Sequence, residues 1–526
     1  MYNEMNGSLS AAPDGLKLGD SGNFSAVATI LFSAPRFSNV NRMDHILSRR
    51  SCLIMLGANL LFWSLLAALR FPGPGIDDLF FVGTAVNLAN GGPYYNPWTE
   101  QWNTIMTSGL FFFQPPFYSY VLAGWIKIFS VSTSTLVAFQ CFWGFVFCVA
   151  GGGLVKRYRG PAWMIWLIPL IYAFNMRTLG FRPDAMTFAL LVSGLWLLTK
   201  DRPWAVVAGF FLIGSSVLTL TVVIAYAVPL TAAVLWSNYQ ESVDRSSRYF
   251  GMRVAALVGA GIAVTWLFLV CIDFKLELFI HDYLTHAALR RDPVSEAPEL
   301  FLKYSWQYWG YILTIPTYLL FVGLIGLALI RGPKPLPMGG KIWVVAAGVA
   351  IVSNIFLYVA GSVRYTLLIS WMLIPFLWAW TSISLPKSWR LTGWGVIALV
   401  LLLGQTNNWP GFFFNDPEGK KENYAEIREF VRTNPDRKYA IDCVAAYEIF
   451  DYKLPKNTVE WDGQTKPSEP RIHLMTEKPS NVTWIVQTAI LSVRLEDWHQ
   501  DCPRVKVFGR NFNSLPLYPN QVSFFP

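Results

Sequence analysis

The sequence predicts an all-α polytopic membrane protein carrying a small α/β domain at its C-terminal end, on the extracytoplasmic side. Three observations predict it. Of 526 residues, 53% are hydrophobic and only 14% charged, against about 25% charged in soluble domains. Apolar runs of span length recur between residues 51 and 408, and only helices satisfy their own backbone hydrogen bonds in hydrocarbon. From residue 410 onward the chain turns charged and Pro-punctuated. The net charge of +9 implies no nucleic acid as partner, because membrane proteins gather Lys and Arg in their cytoplasmic loops. Membrane lipids are the expected surroundings.

Residues 1–41 are polar and rich in Ser, Gly and Asn, a composition that predicts a disordered cytoplasmic segment. Arg42, Arg49 and Arg50 precede the first span and set that end inside. Candidate spans lie near 51–69, 134–155, 162–179, 185–199, 204–218, 220–236, 254–272, 307–330, 342–360, 365–384 and 391–408. At roughly 20 apolar residues each, that makes about eleven transmembrane helices within residues 42–409. Charge tests the alternation. Lys156, Arg157 and Arg159 fall inside, as do Lys200 and Arg202, then Arg245, Arg248 and Arg253, then Arg331, Lys334 and Lys341, then Lys387 and Arg390. Every predicted inner loop is basic.

The run 115–130 is short and contains Lys127. Crossing there would invert every later loop, so it reads as an interfacial or re-entrant helix. The first outer loop then spans 70–133, rich in Trp, Tyr and Phe, with helices at 78–90 and 117–129 lying on the membrane. Residues 410–526 form the extracytoplasmic α/β domain. Tyr424, Ile427, Phe430 and Val431 recur at helical spacing. The runs KYAIDCVAAYEIF, TWIVQTAI and RVKVF read as strands. Cys443 and Cys502 would meet an oxidising compartment there and could pair.

Chemistry points to the outer face. Asp77 and Asp78 follow the breaker run FPGPG (Phe71 to Gly75), just past the first span. As a helix start they would suit the positive end of the dipole. As an acid pair at a membrane face they suit proton, cation or amine handling. Arg177, Arg182 and Asp184 sit between two spans, Arg290, Arg291 and Lys303 on a loop over 273–305, and Arg364 at the opening of another span, all on the same side. Arg182 and Asp184 could equally form a local ion pair. Guanidinium groups bind phosphate through two parallel hydrogen bonds. Acids plus arginines suggest transfer from a lipid-linked sugar phosphate: arginines hold the phosphate as charge grows on it, and a carboxylate takes a proton from the acceptor. A divalent cation, Mg or Mn, could bridge Asp77 and Asp78 to the phosphate. Asp273, Glu277 and His281 recur every four residues and could bind a metal, but Lys275 among them suits an amphipathic surface helix.

The acid pair, the aromatic loop with GGPYYNPW, and QPPFYSYVLAGWIKIFS (Gln114 to Ser130) together resemble the GT-C superfamily of polyprenyl-phosphate-sugar glycosyltransferases. The likeness is greatest to the protein O-mannosyltransferase and lipid A aminoarabinose transferase branch. RPDA (Arg182 to Ala185) and Arg364–Tyr365 are similar to segments of bacterial members. The resemblance implies a GT-C-like domain in an inner membrane, a polyprenyl-phosphate-linked sugar donor, a lipid, glycan or protein acceptor, and inverting transfer at the outer face. It also implies that an Asp of the pair is the base or acceptor contact, and that Gln114, Pro115, Pro116 and Tyr118 line the first-loop pocket. Gln114 stands where aminoarabinose transferases have a Lys, so Arg182 or Arg364 would have to supply the phosphate contact. Two other readings stay open: a transporter or flippase of a lipid-linked or anionic solute, and a non-catalytic assembly partner.

Overall fold

A computed structural model of the chain describes chiefly residues 49–73, 78–99, 114–157, 180–200, 202–241 and 247–295, with short pieces elsewhere, mostly between 428 and 474. All of them belong to the unit Leu47–Pro526. The segment 1–41, the candidate span at 365–384, nearly all of those at 162–179, 307–330 and 342–360, and most of 391–408 lie outside the described residues.

The described chain is helical where the apolar runs predict it. Helix α1 covers Arg49–Ala68, α2 Asp78–Ala89, α3 Phe117–Phe129, α4 Thr133–Arg157, α5 Asp184–Leu198, α6 Pro203–Thr219, α7 Ile224–Glu241, α8 Ser247–Cys271 and α9 Leu276–Ser295. Among the described residues three stretches, Thr133–Leu154, Thr221–Tyr239 and Phe250–Cys271, are long and apolar enough to cross a membrane. Helices α5 and α6 have 15 and 17 residues, short of the roughly 20 a perpendicular span needs.

Helix α5 packs against α4 and α6, α6 against α8, α1 against α4, and α2 against α3. The α5–α6 contact is close because glycines face each other. A Cβ on Gly194 would stand 2.6 Å from the carbonyl oxygen of Gly209, and one on Gly209 would stand 2.9 Å from that of Gly194. Small residues allow this approach where packing, not water, drives helix association.

One end of the bundle is basic. Arg157 ends α4, and its Nη2 donates to Asn238 Oδ1 on α7 at 3.5 Å. Asn238 Nδ2 donates to the Leu198 carbonyl at the end of α5 (2.7 Å), and Arg253 on α8 reaches the same carbonyl (3.4 Å). Lys200 lies 5.2 Å from the Trp196 ring centroid. Three loops predicted to share a side thus meet through named atoms. Cations there also complement the negative ends of α4, α5 and α7.

At the other end an aromatic ladder joins the first loop to α9. Tyr94 stacks on Tyr120 (6.1 Å) and Phe112 (5.7 Å), Phe112 meets Phe279 edge-on (5.6 Å), and Phe279 stacks on Tyr283 (5.6 Å). Tyr283 Oη and Thr221 Oγ1 share a hydrogen bond of 2.6 Å. Burial pushes the Tyr94 phenol far above its ordinary range, so it stays neutral.

Residues 276–295, within the predicted outer loop over 273–305, form a helix; LELFIHDYLTHAAL offers strong helix formers and buries Phe279 and Asp282. Two expectations need correction. Asp273 is outside that helix with φ +52° and pairs with Lys275 at 2.8 Å. It therefore shares no helix face with Glu277 and His281; His281 contacts Asp282 instead (3.2 Å). The run KYAIDCVAAYEIF is not one long strand. Strand β1 covers only Tyr439–Ile441, and Ala446 and Tyr447 are helical. Both of these helical residues are buried. β1 pairs in parallel with β2 (Thr458–Glu460) and β3 (Ile472–Leu474), in the order β2-β1-β3. Neither partner strand was anticipated. TWIVQTAI, RVKVF, Cys443 and Cys502 lie outside the described residues.

Candidate functional site

Asp78 is the first residue of α2 and is wholly buried. Burying a lone carboxylate costs several kcal/mol, so donors must meet it. Its Oδ1 accepts the Phe181 backbone N–H at 2.7 Å, and its Oδ2 accepts the Tyr452 hydroxyl at 3.1 Å. Gly180, at φ +54°, turns the chain just before Phe181, a conformation that glycine adopts without a Cβ penalty.

The loop between Gly180 and Asp184 is held on both sides. The Tyr118 hydroxyl donates to the Phe181 carbonyl. Gln140 Nε2 on α4 donates to the Arg182 carbonyl (3.1 Å) and to Tyr118 Oη (3.2 Å). Burial pushes the Tyr118 phenol well above its usual range, and the nearby charges of Asp78 and Asp184 push it further. It remains a protonated donor set between two carboxylates. Pro115 and Pro116 are buried ahead of α3, and Pro116 occupies its N-cap position.

Arg182 Nε lies 3.1 Å from Asp184 Oδ2, with the Arg side chain 12% exposed and the Asp side chain fully buried. The guanidinium carbon of Arg182 stands 5.6 Å from the Phe81 ring centroid on α2, a cation–π distance. Asp184 Oδ1 has no hydrogen-bond partner among the described residues. Thr187 Oγ1, one turn into α5, shares a 2.6 Å hydrogen bond with Thr219 Oγ1 at the end of α6.

A turn from the C-terminal region closes the site. Thr133, the first residue of α4, donates its N–H to Asp451 Oδ1 (2.7 Å) and its hydroxyl to the Tyr447 carbonyl (3.0 Å). Tyr447 Oη donates to the Arg70 carbonyl after α1 (2.8 Å). The rings of Tyr447 and Tyr452 flank Phe181 at 6.1 and 5.5 Å.

Of the residues proposed from sequence, Asp78, Tyr118, Arg182 and Asp184 thus come together. Gln114 is partly buried nearby in sequence, and its Oε1 has no hydrogen-bond partner among the described residues. Asp77, Arg177 and Arg364 lie outside the described residues. Arg290 and Arg291 lie in the backbone of α9, their side chains outside the described set. Among the described residues no group of three or more His, Cys, Asp or Glu side chains could hold a metal ion, and both oxygens of Asp78 already take protein donors. Sequence reasoning missed Gln140, Phe181 and Tyr452. The first is a lone polar residue inside an apolar helix, which was a usable signal. The other two carried none.

No protein-family model and no curated protein matches the chain. Among solved structures it is similar to ArnT from Cupriavidus metallidurans bound to undecaprenyl phosphate, at 14% identity and a TM-score of 0.49, covering 84% of this chain and 96% of that one. It is also similar to the oligosaccharyltransferase of Archaeoglobus fulgidus in complex with Zn and sulfate, at 13% identity and a TM-score of 0.41. That match covers 77% of this chain and 62% of the other, so less than two thirds of the archaeal protein is spanned.

Proposed function

We propose that the chain is an integral membrane glycosyltransferase. It moves a sugar from a polyprenyl-phosphate donor to an acceptor at the extracytoplasmic face, with inversion at the anomeric carbon. The observation that carries this reading is the meeting of Asp78, Tyr118, Arg182 and Asp184 around one loop, at the end of the bundle away from the basic cluster. The GT-C resemblance of the first-loop motifs supports it.

In this reading Asp77 takes the proton from the acceptor hydroxyl or amine. The acceptor attacks the anomeric carbon, the bond from that carbon to the phosphate oxygen breaks, and the phosphate leaves with the electron pair. Asp78, fixed by two donors, holds the start of α2. Arg182, 3.1 Å from Asp184, would stabilise the leaving phosphate, with Arg364, Arg177, Arg290 and Arg291 as further candidates. The Asp184 oxygen without a partner is suited to a substrate hydroxyl or amine.

The test is incubation of the purified protein with a panel of polyprenyl-phosphate sugars and mass spectrometry of the products. Asp77→Asn and Asp78→Asn should each lower transfer by about 10²–10⁴-fold, the range for general acid–base groups, with expression retained. Normal turnover in both variants would overturn the mechanism. Transport of the same donors into sealed vesicles, without sugar transfer, would favour a transporter instead.

A further inference from the structure

The C-terminal turn reaches deeper into the site than an accessory segment needs to. Residues Asp451 and Tyr452 both adopt left-handed backbone conformations, with φ +50° and +56°. Such values are uncommon for an aromatic residue and persist where surrounding contacts over-determine them. The contacts are specific. Asp451 takes the N–H that starts α4, the Tyr447 carbonyl takes the Thr133 hydroxyl, and Tyr447 Oη reaches the end of α1. With those three bonds in place, the Tyr452 side chain, 1% exposed, delivers its hydroxyl to Asp78 Oδ2. The other oxygen of the same carboxylate holds the Phe181 N–H, and Phe181 packs against both tyrosine rings.

From this geometry we infer that Tyr452 is a positioning residue for the first-loop acid: the 446–452 turn docks on the starts of α2 and α4 and fixes the orientation of the Asp78 carboxylate. The inference rests on the proposed function for its catalytic consequence, and on geometry alone for its structural one. The turn does not touch the substrate in this scheme. It acts through Asp78, making the first-loop acid pair competent only when the C-terminal region is docked.

The two tyrosines allow a clean comparison, because Tyr447 anchors the same turn without donating to Asp78. The experiment compares the full chain with its Tyr452→Phe and Tyr447→Phe variants in two measurements. The first is hydrogen–deuterium exchange at the Phe181 amide, which reports on the carboxylate that holds it. Tyr452→Phe should speed exchange there by roughly tenfold, and Tyr447→Phe by less than about twofold. The second is steady-state transfer, where Tyr452→Phe should lower kcat by roughly tenfold with donor KM within about twofold, as for a group acting only in the chemical step. Unchanged Phe181 exchange in Tyr452→Phe, or an equal rise in Tyr447→Phe, would overturn the inference. Because exchange is read without substrate, a faster amide with no transfer from any donor would support the positioning role while overturning the transferase reading.

Discussion

Asp184 shows how little slack the site has at the level of single residues. Its side chain is fully buried, one oxygen rests on Arg182, and the other has no partner among the described residues. Removing Arg182 would leave an uncompensated buried carboxylate. Arg182→Ala should therefore destabilise the protein by about 3–5 kcal/mol, the cost of breaking a buried pair from one side, and lower the Tm in detergent. Asp184→Asn keeps the shape and removes the charge, so it should cost less, about 1–2 kcal/mol. Equal Tm values for the two variants would contradict the pairing. The local ion pair and the donor-site role proposed for these residues are compatible, since the bond to Asp184 uses Arg182 Nε and a guanidinium carries five N–H donors in all.

Among elements, the α5–α6 pair carries the loop that meets Asp78 at one end and the basic cluster at the other. Its separation is set by Gly194 and Gly209, whose added Cβ atoms would strike backbone oxygens that cannot rotate away. Gly194→Ala should destabilise the fold by about 1–3 kcal/mol through overpacking. Gly57→Ala on α1 should have the opposite sign, a gain of up to about 1 kcal/mol, because its Cβ would meet nothing within 4 Å and alanine favours the helix. Thermal unfolding of the two variants side by side checks both signs.

Across the whole molecule, two chemically distinct ends face away from each other. One gathers Arg157, Lys200, Asn238 and Arg253; the other gathers Asp78, Tyr118, Arg182 and the C-terminal turn. The positive-inside rule assigns the first to the cytoplasm. In a chain with its native cysteines replaced, a cysteine at exposed Arg432 should react with a membrane-impermeant maleimide in intact cells. One at exposed Arg202 should react only after permeabilisation. The reverse pattern would invert the topology and overturn the proposed placement of the site on the extracytoplasmic side.

The sequence by itself determined the described helices between residues 49 and 271, the basic cluster at their ends, and Asp78, Arg182 and Asp184 as residues to watch. These follow from local quantities: apolar run length, charge next to breakers, and the cost of placing ionisable groups near hydrocarbon. Arg182 and Asp184 could be singled out because they are two residues apart, and Asp78 because it starts a helix after FPGPG. Only the tertiary structure decided what those acids meet. Tyr452 stands 374 positions from Asp78 in the chain, and a hydrogen bond between residues so far apart leaves no periodicity or spacing for a single sequence to display. The same holds for β1, whose parallel partners are chosen by crossover packing, and for Asp273, which a regular four-residue spacing placed on a helix that a left-handed turn excludes.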